Sequence, residues 1–288
     1  MRLQLYLRFF TQYGQSLYIT GNCEALGSRN ETLALPMNYL SDEFWTATIE
    51  LGKDFENELQ YQYILKNADG TTTTEWGNDR VIEVMKVTAE DITVVDTWNH
   101  AGEFENAFYT QPFTDVLLPK HKAPKSKSYK NITHILKAKA PLLGKDEVLC
   151  IAGSNDAFGS WDETKPQLMQ REGNWWVARL NLSKENFPSA YKYGVFNTKT
   201  KTFVQYESGN NRMLYDAAGA KKITILHDGF AQLPNTTWHG AGISVPVFSL
   251  RSNKSFGVGE FTDMKLLVDW AVKLKMKLIQ ILPINDTT

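Results

Sequence analysis

Two aromatic residues lie in predicted turns, where a large ring is expected to be exposed. Tyr13 stands directly before a glycine, and Trp161 follows a Phe-Gly-Ser sequence. Turns lie at the surface, so a ring there favours a ligand that covers it. A pyranose sugar presents an apolar C–H face to such a ring, while its hydroxyl groups need polar partners. The polar candidates are Lys192, Glu207 and Asn211.

One ring supplies too little binding energy by itself. Covering about 60 Å² of apolar sugar surface is worth about 1.5 kcal/mol, whereas a millimolar Kd requires about 4 kcal/mol. A useful sugar site therefore needs at least two rings together with hydrogen bonds. The alternative is that these rings belong to a hydrophobic core, as most Trp and Tyr residues of small β-sandwiches do. The pattern alone leaves both interpretations open.

The sequence lacks the usual signatures of catalytic, nucleotide and metal sites. Gly257-Val258-Gly259 is only a fragment of a dinucleotide-binding fingerprint, and no P-loop, HExxH or G-x-S-x-G sequence occurs. The five histidines are scattered without the spacing of metal ligands. We therefore expect neither a metal nor a cofactor.

Composition and charge exclude further classes of protein. The 288 residues are 42% hydrophobic and 22% charged, which is typical of a folded chain. With 31 Lys and Arg against 32 Asp and Glu, the chain has no basic field for nucleic acid. No stretch approaches the roughly 18 apolar residues of a membrane span, and the N-terminus does not resemble a signal peptide. Because Cys23 and Cys150 are too few for a disulfide framework, a reducing cytoplasm is the expected setting.

An internal repeat organises the chain. Five short blocks recur in the same order, at offsets of 130 to 132 positions. The pairs are 17–21 with 149–153, 26–32 with 158–164, 44–47 with 175–178, 61–63 with 191–193 and 75–80 with 207–212. A nearly constant offset indicates duplicated domains. We predict copy one at residues 1–100, a linker at 101–128, copy two at 129–230 and a further domain at 231–288.

The fold class follows from the periodicity of each part. Short runs of alternating polar and apolar residues, separated by turn residues, predict an antiparallel Ig-like β-sandwich for each copy. For residues 231–288, the pattern predicts a strand at 244–250, a helix that begins after Thr262 or Asp263, and a second strand at 277–282. Such a βαβ unit is typical of a parallel sheet or a (β/α)8 barrel. Since one unit cannot bury its own faces, we expect it to be the start of a truncated barrel.

The motifs of the two copies identify a family. Copy one contains Tyr13-Gly14-Gln15, Leu17–Gly21, Leu26-Gly27-Ser28, Phe44-Trp45, Tyr61-Gln62-Tyr63, Glu75–Arg80 and Asp96-Thr97-Trp98. Copy two contains Gly153, Phe158–Asp162, Trp175-Trp176, Tyr191–Tyr193 and Tyr206–Arg212. Both sets resemble carbohydrate-binding module family 20, the starch-binding domains. The resemblance implies β-sandwiches that bind α-glucans such as starch, glycogen and maltodextrins.

The resemblance also implies two sugar sites per domain, of which each copy keeps one. The first site of the family matches Trp161, Lys192, Tyr206, Glu207 and Asn211 of copy two. The equivalent residues of copy one are Arg29, Gln62, Thr74 and Asp79, so this site is expected to be absent there unless Trp76 substitutes.

The second site of the family matches Tyr13 with Phe44 or Trp45 of copy one, whereas copy two has Lys145 in place of the tyrosine. Because neighbouring side chains of a strand point to opposite faces, one of Trp175 and Trp176 is expected in the core and the other at the surface.

The last part of the chain resembles a second family. Ser244–Ser252, Ser255–Phe261, Asp263, Asp269-Trp270 and Gln280–Thr287 look like the opening of glycoside hydrolase family 77, the 4-α-glucanotransferases. The resemblance implies transfer of α-1,4-glucan segments with retention, by a pair of carboxyl groups. Those groups lie on later strands of the family barrel, so we expect no catalytic residue in these 288 positions and no activity of the chain alone.

Polar residues after the two predicted barrel strands are candidates for a glucan subsite, since barrel sites lie at the carboxyl ends of strands. They are Arg251, Ser252, Ser255, Asn285 and Asp286. The alternative is that they form a structural cap.

Two hypotheses of different classes remain at this point. The first is the N-terminal α-glucan-binding region of a 4-α-glucanotransferase. The second is a pair of Ig-like modules for protein interaction or dimerisation. The sequence leaves the preferred glucan, the orientation of the copies and the oligomeric state open.

Overall fold

The computed structural model describes residues 1–52, 58–77, 80–83, 89–118, 131–217, 219–234 and 237–282. The chain divides into two compact units, Met1–Asn235 and Thr236–Thr288. The strands of copy one are β1 (Arg2–Arg8), β2 (Ser16–Gly21), β3 (Leu35–Pro36), β4 (Asn38–Tyr39), β5 (Phe44–Glu50), β6 (Glu58–Lys66), β7 (Thr72–Thr74), β8 (Val81–Glu83) and β9 (Asp91–Thr97). The strands of copy two are β10 (His134–Lys139), β11 (Glu147–Gly153), β12 (Gln167–Leu168), β13 (Gln170–Glu172), β14 (Trp175–Leu180), β15 (Ser189–Asn197), β16 (Thr202–Tyr206), β17 (Arg212–Leu214) and β18 (Lys222–Phe230).

Both copies build sheets in the same way, and one sheet is shared. Copy one forms β3-β2-β6-β7 with β8 beside β6, and copy two forms β12-β11-β15-β16 with β17 beside β15. The remaining strands join in one eight-stranded sheet, in the order β13-β14-β10-β18-β9-β1-β5-β4. The mainly β fold predicted from the periodicity is confirmed. The sequence did not predict that the last strands of the two copies, β9 and β18, pair with each other in parallel.

The register of this central pair places the two cores on opposite faces of the sheet. Asp96 of β9 lies opposite His227 of β18. The residue of copy two that is equivalent to Asp96 in the repeat is Asp228, which follows His227, so the pairing is shifted by one residue. A shift of one residue turns every side chain to the other face. Accordingly, Ile223 and Ile225 of copy two pack into the core of copy one, while Leu226 belongs to the core of copy two.

Asp96 is the buried acceptor of copy one, and copy two supplies one of its partners. The Tyr61 and Tyr63 hydroxyls donate to Asp96 Oδ2 at 2.9 and 2.7 Å. Arg80 Nη1 lies 3.0 Å from Oδ1, and His227 Nδ1 lies 2.6 Å from the same oxygen. Burial opposes the charge of this carboxylate, but Arg80 and His227 outweigh burial and hold the pKa of Asp96 below its usual range.

Asp228 repeats the arrangement in copy two, with a partner from copy one. The Tyr191 and Tyr193 hydroxyls donate to Asp228 Oδ2 at 2.6 and 2.8 Å. Arg8 Nη1, at the end of β1, donates to Oδ1 at 2.8 Å. Burial again opposes the charge, and Arg212 together with Arg8 lowers the pKa of Asp228. Each copy therefore supplies a hydrogen-bonding partner to the buried aspartate of the other copy.

Part of the predicted linker is folded onto this unit. Residues Phe104–Tyr109 form a 3₁₀ helix, and Pro112–Leu117 form a short π-helix. Asn106 and Phe108 are buried, and the Tyr109 ring lies 6.1 Å from the ring of Phe230. The basic stretch 119–128 of the predicted linker lies outside the described residues.

The second unit contains the predicted βαβ arrangement. Strands β19 (Gly242–Val245) and β20 (Leu278–Ile281) pair in parallel, and helix α1 (Met264–Lys273) lies between them in sequence. Asp263 is the N-cap of α1, as predicted. The first strand is shorter than predicted, because Val247–Ser249 turns into a 3₁₀ helix after Pro246. Leu266, Trp270 and Leu274 of the apolar helix face are exposed.

We expect Arg8→Gln to lower the free energy of unfolding by about 3 kcal/mol, because the substitution leaves the buried Asp228 carboxylate without its partner from copy one. The control is Lys221→Gln, which breaks the exposed ion pair between Lys221 and Glu90 of the other copy and should cost less than about 1 kcal/mol. Urea unfolding followed by circular dichroism measures both. Equal effects of the two variants would contradict a structural role of Arg8.

We also expect stability to fall as the pH drops from 7 to 5. Burial and the positive charge of Lys137 lower the pKa of His227 to about 4, despite Asp96. Below about pH 6.5 the unfolded chain therefore binds a proton that the folded chain does not, and folding is penalised increasingly down to about pH 4. Between pH 7 and pH 5 this residue should cost about 2 kcal/mol. The urea unfolding of His227→Asn, measured at both pH values, should lack that part of the decline; an unchanged decline would show that His227 is not its source.

Candidate functional site

Three successive residues with positive φ present the Trp161 side chain. Gly159, Ser160 and Trp161 have φ of 81°, 51° and 61°. A side chain at Gly159 would place its Cβ only 2.4 Å from the carbonyl oxygen of Lys165, so glycine is required there. Copy one has the same turn at Gly27, Ser28 and Arg29, also with positive φ. The repeat thus preserves a strained turn and changes only the side chain that it displays.

The structure brings two of the predicted aromatic residues together. The Trp161 and Tyr206 rings lie 6.3 Å apart with planes inclined at 62°, and both are half-buried. Tyr206 ends β16 and rests on Phe203, with ring centres 4.4 Å apart. Burial and the neighbouring Glu163 raise the pKa of Tyr206, so its hydroxyl remains a hydrogen-bond donor at neutral pH. The pair forms an inclined aromatic surface that two consecutive sugar rings can contact.

Lys192 fixes the loop beside these rings. Its Nζ donates to the carbonyl oxygens of Gly209 at 2.7 Å and of Glu207 at 3.3 Å. In copy one, Gln62 Nε2 donates to the equivalent carbonyl oxygens, those of Gly77 at 2.8 Å and Glu75 at 2.9 Å. Glutamine at this position therefore keeps the loop contacts that the lysine makes.

Glu207 holds the loop from inside and does not face a ligand. It is 3% exposed, and its two oxygens receive hydrogen bonds from Arg212 Nε and Nη2, both at 2.9 Å. Oε1 also accepts from the backbone N–H of Tyr193 at 2.9 Å. The interpretation of Glu207 as a sugar contact is therefore corrected to a positioning role, because burial leaves its carboxylate inaccessible. Asn211 is exposed at the other end of this loop.

In copy one, the predicted aromatic residues differ in exposure. Tyr13 is fully exposed before Gly14, whose φ is 84°. Phe44 is half-buried and lies against Tyr6, with ring centres 6.4 Å apart. Trp45 is 7% exposed and belongs to the core, so its assignment to a sugar site is corrected. Phe44 is thus the ring of this strand that remains accessible.

The expectation that Trp175 or Trp176 would be exposed is wrong. Trp176 lies in the core of copy two, and Trp175 on the opposite face is only 8% exposed. The Trp175 ring lies 5.0 Å from that of His227 and 4.6 Å from Lys139 Nζ. The outer face of this strand is covered because it takes part in the contact between the copies.

Two of the candidate subsite residues in the second unit bind Asp263. The Ser252 hydroxyl donates to Asp263 Oδ1, and the Ser255 hydroxyl donates to Oδ2 at 3.0 Å. Glu260 N–H also donates to Asp263 Oδ2, at 2.9 Å. Arg251 is exposed beside these serines. Asn285 and Asp286 lie outside the described residues.

The described residues also bear on metal binding, membrane-spanning helices and the state of the cysteines. No group of three or more potential metal ligands occurs among them, and none of their helices is long and apolar enough to cross a membrane. Cys23 and Cys150 are both buried free thiols.

Sequence reasoning missed Arg8 and His227, which connect the two copies. For His227, the sequence does contain a signal, which is a break in the repeat. The equivalent position in copy one, directly before Asp96, is Val95. A polar residue that replaces an apolar one in only one copy of a buried strand indicates a contact that the other copy does not make.

Comparison with known proteins matches two families. The starch binding domain family matches residues 1–94 and again residues 136–225. The 4-alpha-glucanotransferase family matches residues 245–288. The first match agrees with the repeat, and the second with the βαβ unit. Together they favour the α-glucan hypothesis over protein-interaction modules.

Curated relatives agree with these matches. The 4-alpha-glucanotransferase DPE2 of Oryza sativa subsp. japonica is 32% identical over 98% of this chain and 31% of its own length. A 4-alpha-glucanotransferase of Chlamydia trachomatis is 48% identical over 16% of this chain and 9% of its own length. A glucoamylase of Neurospora crassa is 32% identical over 31% of this chain and 14% of its own length.

This chain therefore spans about a third or less of the length of these relatives. Because the starch binding domain match covers more than half of the 288 residues, in two successive copies, the chain belongs to the starch binding domain family.

Proposed function

We propose that the first unit binds α-glucans such as starch, glycogen and maltodextrins, chiefly through Trp161 and Tyr206 of copy two. The observation that carries the proposal is the pair of half-buried rings 6.3 Å apart, beside a loop held by the ion pair between Arg212 and the buried Glu207. Both rings already pack against neighbouring rings, so little further ordering of these side chains opposes binding. Lys192 and Glu207 keep the loop in place, and Asn211 offers polar groups to the sugar hydroxyls.

The strength expected of this site follows from its area. Two rings that each cover one sugar face contribute about 3 kcal/mol, and a few hydrogen bonds bring the total into the range of a millimolar to micromolar Kd. Tyr13 with Phe44 of copy one is proposed as a second, weaker contact. If both copies bind one large glucan, the second contact is intramolecular and avidity exceeds either affinity.

We further propose that this glucan affinity serves a 4-α-glucanotransferase that transfers α-1,4-glucan segments with retention. The support is the family match of residues 245–288 and the rice relative that is similar along nearly the whole chain. Arg251 is the accessible member of the proposed glucan subsite in the second unit. The proposed setting is the cytoplasm, in keeping with two buried free thiols.

Removal of both rings should abolish useful binding. Each of Trp161→Ala and Tyr206→Ala removes about 1.5 kcal/mol of apolar contact, so the double variant should raise the Kd for maltoheptaose about a hundredfold. Isothermal titration calorimetry and retention on amylose resin measure the loss. Tyr215→Ala, which removes a 73% exposed ring elsewhere in copy two, is the matched control and should bind normally. If the double variant binds as tightly as the control, the proposal fails.

Lys192 should tolerate glutamine but not alanine. Glutamine at the equivalent position of copy one makes both loop contacts, so Lys192→Gln should keep the Kd for maltoheptaose within about threefold. Lys192→Ala leaves two carbonyl oxygens without their donor and should weaken binding about tenfold, at a cost of ~1.4 kcal/mol. The same titration distinguishes the variants. A Lys192→Gln chain that binds as poorly as Lys192→Ala would instead mean that the ammonium group contacts sugar directly.

A further inference from the structure

A pocket of about 290 Å³ lies where the two copies meet, beyond the ends of β9 and β18. Copy one lines it with Trp76, Trp98 and Asn99, and copy two with Phe230 and Gln232. Trp161, Tyr206, Tyr13 and Phe44 are not among the lining residues, so the pocket is separate from the two sites proposed above for the first unit.

The cations around this pocket already have charged or aromatic partners. Arg8 pairs with Asp228 at 2.8 Å, and Arg80 pairs with Glu75 at 2.7 Å. The Lys139 ammonium group lies 4.6 Å from the centre of an indole ring, in a cation–π contact. Because these cations already have partners, the pocket offers no strong attraction to an ion. A neutral ligand rich in hydrogen-bonding groups suits it better.

The pocket also contains two accessible aromatic rings and one hydrogen-bond acceptor that could contact a ligand. Trp76 of copy one and Phe230 of copy two are half-buried, whereas Trp98 and Trp175 are almost fully buried. Asn99 Nδ2 donates to the carbonyl oxygen of Trp76 and to Asn106 Oδ1, both at 3.1 Å, which fixes the orientation of the amide.

The other atom of this amide, Asn99 Oδ1, is buried and has no hydrogen-bond partner among the described residues. Buried polar atoms are normally paired, so an unpaired acceptor beside a pocket is a place where a ligand hydroxyl can donate.

We propose that this pocket is a third sugar site, which binds the end of an α-glucan chain. Its volume is at the lower limit of ligand pockets, which run from about 300 Å³ upward, and suits one or two glucose units rather than a long chain. Trp76 covers the apolar face of a glucose ring, and Asn99 Oδ1 accepts a hydrogen bond from one of its hydroxyls. Since both copies line the pocket, neither copy alone contains the site.

A larger groove between the copies, of about 1130 Å³, is less suited to a sugar. Strand residues such as Ile135, Val177 and Ile225 line it, and Trp175, which is 8% exposed, is the only aromatic ring among its described lining residues. It therefore lacks an accessible ring on which a sugar can stack.

The proposal rests on the glucan binding proposed above, and the experiment separates the two. The background is the full chain with Tyr13→Ala, Trp161→Ala and Tyr206→Ala, which disables the other two sites of the first unit. Maltotriose is titrated while the indole N–H signals are followed by NMR, with the Trp76 signal assigned from Trp76→Phe. We expect a saturable shift of the Trp76 signal, with a Kd in the millimolar range. Adding Asn99→Leu should weaken this residual binding at least fivefold, whereas Tyr215→Ala should not. For Trp76→Ala, which lacks the reporter signal, isothermal titration calorimetry should show the same loss.

Several outcomes would overturn the third site. One is tight binding of maltotriose by the unmodified chain with no Trp76 shift in the disabled background, which leaves the proposed function intact. Another is a larger shift with inorganic phosphate than with maltotriose, which would mean an anion site. If even the unmodified chain binds no maltoheptaose, the proposed function itself fails. Asn99→Leu keeps the Trp76 ring and its signal, so it tests the site without the risk that Trp76→Ala misfolds. Unchanged binding by Asn99→Leu would also refute the proposal.

Discussion

The one-residue register shift between β9 and β18 is the constraint on which the rest of this structure depends. Repeat-equivalent residues are displaced by one position across the pair, and strand side chains alternate between faces. The two cores consequently lie on opposite sides of one continuous sheet. The same shift brings His227 to Asp96, while Arg8 reaches Asp228 across the shared sheet. Two buried carboxylates that each lack a complete set of donors within their own copy thus join the copies into one unit.

This joining reaches the proposed sugar site through a short series of contacts. Asp228 binds Arg8 of copy one and lies near Arg212, which in turn forms a bidentate pair with Glu207. Glu207 and Lys192 hold the loop beside the aromatic pair. A contact between the copies therefore supports the ligand site of copy two. Both copies have the supporting Arg–Glu ion pair, whereas the turn displays Trp161 in copy two and Arg29 in copy one.

Much of the fold and part of the site could be predicted from local sequence. Strand periodicity and the repeat predicted the sheets, and helical spacing with an N-cap at Asp263 predicted α1. The turn residues indicated Trp161, and the family resemblance added Tyr206, whose ring lies 6.3 Å from that of Trp161. The assignments of Trp45 and Glu207 to sugar sites were wrong, because the same residue types serve both packing and recognition. Trp45 is in the core, and Glu207 is an internal ion-pair partner. A sequence motif identifies the residues of a site, but it does not show which of their atoms are accessible to a ligand.

By itself, the amino-acid sequence determined the duplicated β-rich repeats, the βαβ unit and the turn residues that display aromatic rings, because each follows from interactions between residues close together in the chain. Only the tertiary structure decided that the copies share a sheet, that Trp175 is covered, and that a pocket with Trp76 and Asn99 opens between the copies. These depend on the register of strands more than a hundred residues apart, which local patterns do not specify.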